Sequence, residues 1–203
     1  TQVESGNFKA VDFDNFDEKL AYLYAPARME ERFATFETIT LPPLRAQTDP
    51  DFTFVVVIGD SLPDEYRSRL EALLADMPQA VIQSHPPAKH RPMMKRIINS
   101  VRRDDAAPCL QFRMDDDDAV SVHFVERLRA LAQDCRPLLR HHAHVAFDFN
   151  TGWIASPGAD GIDRRLRSVK ARNGAEPVPV QIMTILVMQR HIKAISHVLQ
   201  ELR

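Results

Sequence analysis

The sequence has few cysteines and no long apolar run. Its two cysteines, Cys109 and Cys135, are too few and too far apart for a disulfide framework, so we expect reduced thiols in apolar surroundings. No stretch of about 18 apolar residues occurs, so the sequence predicts no membrane span. Residues 1–9 lack the apolar centre of a signal peptide. Together these absences lead us to expect a cytoplasmic protein.

An excess of charge of either sign is also missing. Lys and Arg number 26 against 28 Asp and Glu, which gives a formal net charge of −2. Nonspecific nucleic-acid binding needs a basic excess, so we expect no nucleic-acid partner. The 203 residues, 44% of them hydrophobic and 27% charged, are typical of a soluble globular protein, and we expect a single domain over residues 1–203.

Strand-like and helix-like segments alternate along the chain. The strand-like segments are apolar runs at residues 52–58, 80–82, 109–112, 142–149 and 180–188. The helix-like segments lie at residues 28–44, with a kink expected at Pro42-Pro43, after Pro63, and at residues 91–102, 124–135 and 192–202. Residues 156–179 read as a long loop. The alternation predicts an α/β fold with a mainly parallel central sheet flanked by helices.

Four consecutive aspartates, Asp115 to Asp118, directly follow the apolar run 109–112 and precede a helix-like segment. Like charges packed this closely repel one another, and a bound cation would offset the repulsion. Mg²⁺ and Mn²⁺ prefer carboxylate oxygens, and Mg²⁺ is commonly held by one or two carboxylates together with substrate phosphates. Because ligands of open α/β sheets bind at the carboxyl ends of strands, this context favours a metal–diphosphate site over a solvated acidic turn.

A calcium-binding loop is the first alternative for the aspartates. Counted from Asp115, an EF-hand loop needs an acid at its fifth position and glycine at its sixth, where the sequence has Ala119 and Val120, so we reject it. A two-metal nuclease or phosphatase also gathers carboxylates, and Asp60, at the end of an earlier strand, could contribute one. This phosphohydrolase hypothesis stays open.

Several sequence strings resemble a known family. Residues 45–52, which read Arg-Ala-Gln-Thr-Asp-Pro-Asp-Phe, and the strand that ends at Gly59-Asp60-Ser61 resemble the opening of GT-A-fold glycosyltransferases. The aspartates after the later strand then resemble the DxD motif of those enzymes. More closely, residues 24–33, His90-Arg91-Pro92 and residues 110–118 are similar to the rhamnosyl transferase family. The resemblance covers residues 22–148 well and residues 149–203, the acceptor side, loosely.

The resemblance implies a GT-A-like, Rossmann-like fold with Mn²⁺ or Mg²⁺ at the aspartates. In a DxD motif one acid contacts the ribose of the donor and the other contacts the metal. The pair is either Asp116 and Asp118 or Asp115 and Asp117, and we favour Asp116 and Asp118 as metal ligands because the later acids lie further past the strand. The expected contacts of the nucleotide sugar are Asp60, His90, Arg91, Asp115, Asp116 and Asp117.

The charged residues near the aspartates have simpler explanations as well. Asp60 matches the family's nucleotide-contacting acid, although a turn or helix-capping role explains it equally well. His90 and Arg91 belong to a basic patch that could meet a diphosphate. Lys95 and Arg96 continue this patch, and a solvated helix face explains them equally well. Arg113, beside the acids, is expected to neutralise them.

Histidines offer a second, weaker metal hypothesis. Alternation along a strand would place His142 and His144 on one face and His141 on the other. No Cys or Glu stands at ligand spacing, so a zinc site is disfavoured. The family resemblance instead implies a late histidine in the metal shell, for which His191 and His197 are the candidates.

The catalytic base is expected to be Asp148, at the end of an aromatic-rich strand, with Asp160 and Asp163 as further candidates. Each is also explained as a turn residue. The resulting hypothesis is a glycosyltransferase that moves a sugar, such as rhamnose, from a nucleotide-diphosphate donor to a hydroxyl of a saccharide or other acceptor. The alternatives are a non-catalytic nucleotide- or sugar-binding module on the same fold and the phosphohydrolase.

Overall fold

The structure, a computed structural model, describes most of the first three quarters of the chain. Side chains are described at residues 15–103, 107–142 and 144–147, and further strand segments by their backbone, at residue 148 and at 151–154, 157–158, 161–162, 167–170 and 185–189. The predicted helix at 192–202 and the candidates Asp160, Asp163, His191 and His197 lie outside the described residues.

Helices and strands alternate as the sequence predicts, but the structure adds a helix at Phe16–Leu23, and short strands lie within residues 156–179, where a loop was expected. The helices are α1 (Phe16–Leu23), α2 (Pro26–Thr35), a π-helical segment (Phe36–Thr40), α3 (Leu41–Arg45), α4 (Asp64–Leu74), α5 (His90–Ser100), α6 (Phe124–Asp134) and a 3₁₀ helix (Arg136–Arg140). The strands are β1 (Phe54–Gly59), β2 (Ala80–His85), β3 (Cys109–Gln111), β4 (His144–Asp148), β5 (Thr151–Ile154), β6 (Pro157–Gly158), β7 (Gly161–Ile162), β8 (Arg167–Lys170) and β9 (Ile185–Gln189).

The helical stretch from α2 to α3 is continuous and contains the expected irregularity. Pro26 begins α2, where its fixed φ angle suits the first turn of a helix. Pro42 and Pro43 lie in the first turn of α3, which follows directly on the π-helical segment. A proline ring clashes with the carbonyl four residues earlier and supplies no N–H, so the wider π turn accommodates the prolines without ending the helix.

The strand pairings show a mixed fold of helices and strands that is consistent with the α/β class, but most of the pairings among the described strands are not parallel. β1 and β2 are parallel, from Phe54 opposite Ala80 to Gly59 opposite His85. The other pairings among the described strands are antiparallel, including those of β9 with β3 on one side and β4 on the other. The expected parallel arrangement therefore holds for β1 and β2, whereas the late strand β9 inserts between β3 and β4 and makes their sheet antiparallel.

Two apolar clusters form the core. The first joins α2, the π-helical segment, α3 and α4 and contains Met29, Phe33, Phe36, Leu41, Leu44, Leu62, Tyr66, Leu70, Leu74 and Met77. The second lies around α6 and contains Phe124, Val125, Leu128, Ala132, Leu139 and Phe147. Met114 packs against the first cluster and Val120 against both. The aspartates thus stand between two residues that the core holds in place.

The described helices offer no transmembrane segment. None of them is both long and apolar enough to cross a membrane.

Candidate functional site

The aspartates form a tight turn after β3. The backbone N–H of Asp118 donates to the carbonyl of Asp115 at 3.3 Å, and the N–H of Asp115 donates to the Asp118 carboxylate, also at 3.3 Å. Asp115 and Asp117 are exposed, whereas Asp116 and Asp118 are half-buried. The backbone therefore separates the four acids into the two pairs that the sequence left as alternatives. We call residues 115–118 the acidic turn.

Thr40, at the end of the π-helical segment, anchors the acidic turn by hydrogen bonds to its backbone. Its side chain is 1% exposed, and its hydroxyl lies 2.9 Å from the carbonyl of Asp116 and 2.8 Å from the carbonyl of Asp118. A buried hydroxyl requires a partner, and here a single proton is shared between two carbonyls of the turn. This anchoring role of Thr40 was not predicted from the sequence.

Two arginines neutralise two of the four acids. Arg113 donates to the carboxylate of Asp115 at 2.9 Å, which confirms its expected neutralising role. Arg32, on α2, donates to Oδ1 of Asp116 at 2.5 Å, a contact that the sequence did not predict. Among the described residues no side chain is hydrogen-bonded or ion-paired to the carboxylate of Asp117. The acidic turn therefore retains negative charge that its own surroundings do not offset.

The surroundings of Asp118 disfavour the charged form of its carboxyl group. Burial raises the pKa of Asp118, and the hydrogen bond from the backbone of Asp115 opposes that shift. The negative charges of Asp117, Asp115 and Asp116 raise the pKa further. A position of this kind gains from a proton or a nearby cation.

The segment that follows α3 fixes the helix after the acidic turn. The buried amide of Gln47 donates to the carbonyls of Pro43 at 2.9 Å and Ser121 at 2.7 Å, and its oxygen accepts from the N–H of Val125 at 3.0 Å. The last bond satisfies one of the free N–H groups at the start of α6. In this way Gln47 ties the end of α3 to the beginning of α6.

Asp49 continues the same attachment. Arg129, on α6, donates to its carboxylate at 2.6 Å and to the carbonyl of Asp51 at 2.7 Å. The hydrogen bond from Arg129 lowers the pKa of Asp49, and a bond from the backbone N–H of Asp51 lowers it further. The segment at residues 45–52, one of those that carry the family resemblance, therefore positions α6 and the acidic turn before it.

Asp60 lies at the carboxyl end of β1, beside a close contact between Tyr24, which precedes α2, and the end of the strand. Its backbone N–H donates to the carbonyl of His85, and its exposed carboxylate does not cap α4, because Pro63 holds the N-cap position without a side-chain hydrogen bond. Tyr24 reaches Ser61 at 3.2 Å between the hydroxyls, and its phenol oxygen lies 2.8 Å from where a Cβ on Gly59 would be. Asp60 therefore lies in a turn, as one of its two simpler explanations expected, whereas the helix-capping explanation is wrong, and its carboxylate is exposed.

The predicted basic patch lies on α5. His90, Arg91, Lys95 and Arg96 are exposed, and none of them is hydrogen-bonded or ion-paired to the acidic turn. Their role as diphosphate contacts stays a prediction, as does the explanation by a solvated face.

Asp148 ends β4, and the strand register brings this position to the edge where the acidic turn begins. β3 and β4 both run antiparallel to β9, so they run in the same direction as each other. Gln111 of β3 and Ala146 of β4 both pair with Val187 of β9. Asp148 lies two residues beyond Ala146, just as Arg113 lies two residues beyond Gln111. The backbone therefore brings the predicted base and the aspartates, which are distant in sequence, to one sheet edge.

No ready-made site of three or more His, Cys, Asp or Glu ligands occurs among the described residues. This statement covers His141, His142 and His144, of which the first two are exposed and the third has a buried Nε2 without a hydrogen-bond partner. A site that uses two carboxylates and lets a phosphate complete the metal shell does not need a third protein ligand. The lack of a third protein ligand among the described residues is therefore compatible with such a site at the acidic turn.

Comparison with known proteins agrees with the resemblance seen in the sequence strings. No curated protein and no solved structure matches the chain. The sequence model of one family, described as "Putative rhamnosyl transferase", matches residues 3–181, which is well over half of the 203 residues. This description is that of an enzyme with a sugar donor and an acceptor. Because the match covers most of its length, the chain belongs to the rhamnosyl transferase family.

Proposed function

We propose that the chain is a GT-A-like glycosyltransferase that moves rhamnose from a nucleoside-diphosphate donor to a hydroxyl of an acceptor. Asp116 and Asp118 would hold the divalent metal, Mn²⁺ or Mg²⁺. The family membership supports the transferase class. The observation that carries the metal–diphosphate site is the uncompensated charge of the acidic turn.

The donor set fits a hard cation. Asp117 has no partner among the described side chains, and burial together with neighbouring negative charge raises the pKa of Asp118. Thr40, Met114 and Val120 nevertheless hold the turn in place. A fold that keeps repelling carboxylates in a fixed position is stabilised by a cation that binds them.

Different residues of the chain would contact different parts of the donor. Asp60 would contact the nucleoside, Asp115 and Asp117 the ribose side of the donor, and His90 and Arg91 the diphosphate. A bound divalent cation would offset the negative charge that grows on the departing diphosphate.

Asp148 would act on the acceptor. Its carboxylate would accept the proton of the acceptor hydroxyl as that oxygen bonds to the anomeric carbon, while the nucleoside diphosphate leaves with the electron pair of the broken bond. The common sheet edge of β3 and β4 supports this assignment, because it brings position 148 to the edge where the acidic turn begins.

The test is calorimetry with Mn²⁺ and a panel of nucleoside diphosphates, on the wild type and on Asp118→Ala. We expect metal-dependent binding by the wild type and a loss of roughly tenfold or more in Asp118→Ala, because a charged contact contributes about 1.5–3 kcal/mol. The matched control is Asp134→Ala, an exposed acid at the other end of α6. Absence of metal-dependent nucleotide binding in the wild type overturns the proposal.

A transfer assay with nucleotide-rhamnose then separates the remaining functions. Transfer to an acceptor supports the glycosyltransferase. Binding without turnover identifies a non-catalytic module, and phosphate release from simple esters without an acceptor identifies a phosphohydrolase.

A further inference from the structure

Arg32, on α2, forms an ion pair with Asp116 of the acidic turn. We propose that Arg32 is a donor-binding residue that exchanges partners: it holds Asp116 in the donor-free protein and passes to the donor diphosphate when a cation takes Asp116. This inference rests on the proposed function, since it requires a metal–diphosphate site at the turn.

The pair is built so that it can be exchanged. Arg32 contacts Asp116 through Nη2 and Oδ1 at 2.5 Å, and the side chains of Arg32 and Asp116 are 47% and 33% exposed. An ion pair with this exposure contributes little to stability, because water screens the charges. Replacing it with a metal–carboxylate bond and an arginine–phosphate bond therefore costs the fold little.

The acidic turn does not depend on this pair for its position. Thr40 binds the carbonyls of Asp116 and Asp118, and Met114 packs into the first core cluster. When Arg32 leaves, the carboxylate of Asp116 stays where it is and becomes free for a cation.

Two other arginines near α2 are held by partners away from the acidic turn. Arg28, one turn earlier on α2, lies over the ring of Tyr22 at 4.9 Å and donates to its hydroxyl. Arg69 is held by Glu30 and Glu37 and lies over a phenylalanine ring. Of these guanidinium groups, Arg32 is the one directed at the acidic turn.

The path of α2 fits a ligand that is extended along it. Tyr24 touches Ser61, next to Asp60, just before the helix, and Arg32 reaches the acidic turn near its end. At about 1.5 Å of rise per residue, Pro26 at the start of α2 and Arg32 are separated by roughly 9 Å along the helix axis. The base of the nucleotide near Asp60, and its ribose and diphosphate at the turn, would lie at the two ends of this stretch, and Arg binds phosphate through two parallel hydrogen bonds.

The test measures two affinities of Arg32→Gln against the wild type: that for Mn²⁺ alone, and that for a nucleoside diphosphate at saturating Mn²⁺. We expect Mn²⁺ alone to bind up to about fivefold more tightly, since the competing cation is gone. We expect the diphosphate to bind roughly tenfold or more weakly, since a charge-assisted contact is lost. Arg32→Lys should regain part of the diphosphate affinity.

Arg113→Gln is the matched control, because it removes the same charge beside the same turn and breaks the pair with Asp115. We expect its diphosphate affinity to fall by less than about threefold, the effect of an exposed charge. Unchanged diphosphate binding in Arg32→Gln, or a parallel loss of metal and diphosphate binding, overturns the role of Arg32 while leaving the proposed function intact. A wild type that binds no diphosphate with Mn²⁺ overturns both.

Discussion

At the scale of single residues, the folded chain disfavours the charged form of Asp118, and the contacts of its carboxylate do not offset this effect. Burial, and then the neighbouring carboxylates, raise its pKa above the reference value of 3.8, against an opposing backbone hydrogen bond. A raised pKa means that the folded state binds the proton more tightly than the unfolded state does. The resulting stabilisation is present at pH below 3.8 and is lost as the pH rises through the folded-state pKa.

The raised pKa of Asp118 gives the first prediction on stability. Asp118→Asn should unfold at a higher temperature than the wild type at neutral pH, and the difference should shrink when the pH falls below 3.8. The amide oxygen can still accept the N–H of Asp115, so the turn keeps its bond. Thermal melts across this range, with Asp134→Asn as the control, make the measurement. An Asp118→Asn protein that is less stable than the wild type at neutral pH would contradict the electrostatic account.

At the scale of elements, the π-helical segment is what connects the helical stretch to the acidic turn. The wider helical turn accommodates Pro42 and Pro43, and Thr40 at its last position points to the turn rather than into an apolar neighbour. Irregular helical turns of this kind are frequent at functional sites. Here the irregularity places one hydroxyl against two carbonyls.

Replacing Thr40 with valine tests this connection. Thr40→Val keeps the shape of the side chain but leaves two carbonyls without their donor, so we expect a loss of about 1–3 kcal/mol in the free energy of unfolding and weaker binding of metal and diphosphate. Urea unfolding and calorimetry provide the two readouts.

The same segment supplies the control. The exposed Thr38 donates its hydroxyl to the carbonyl of Ala34 within the helix, so Thr38→Val should change stability by no more than about 0.5 kcal/mol. Equal effects of the two substitutions would show that the contact with the turn is not what matters.

The elements themselves were largely predictable, whereas the contacts between them were not. Apolar runs and proline signals located β1, α4, β3 and α6, because those patterns are local. Arg32 and Thr40 were missed since their partners, Asp116 and Asp118, lie 76 to 84 residues later, and pattern does not report such pairings. A polar Thr40 within an apolar stripe was the available signal, because a buried hydroxyl needs a partner. The antiparallel pairing of β9 with β3 and β4 was not predicted either, because it also joins residues that are far apart in the chain.

At the scale of the whole molecule, the fold brings two distant acidic positions to one edge. The acidic turn follows β3 and lies between the two core clusters, while Asp148 ends β4 at the same edge because β9 pairs with both strands. Under the proposed function, the acidic turn would bind the donor and Asp148 would serve the acceptor. If this division holds, binding and chemistry can be separated by substitution.

Asp148→Asn is the substitution that separates them. We expect it to keep metal-dependent diphosphate binding within about twofold of the wild type, since it leaves the acidic turn untouched. We expect transfer of rhamnose to fall by roughly 10²–10⁴-fold, the usual contribution of a general base. Asp118→Ala, in contrast, should lose binding and transfer together. Calorimetry and a transfer assay on the two variants make the comparison, with melting temperatures as a check on folding. Transfer by Asp148→Asn at the wild-type rate would remove Asp148 as the base.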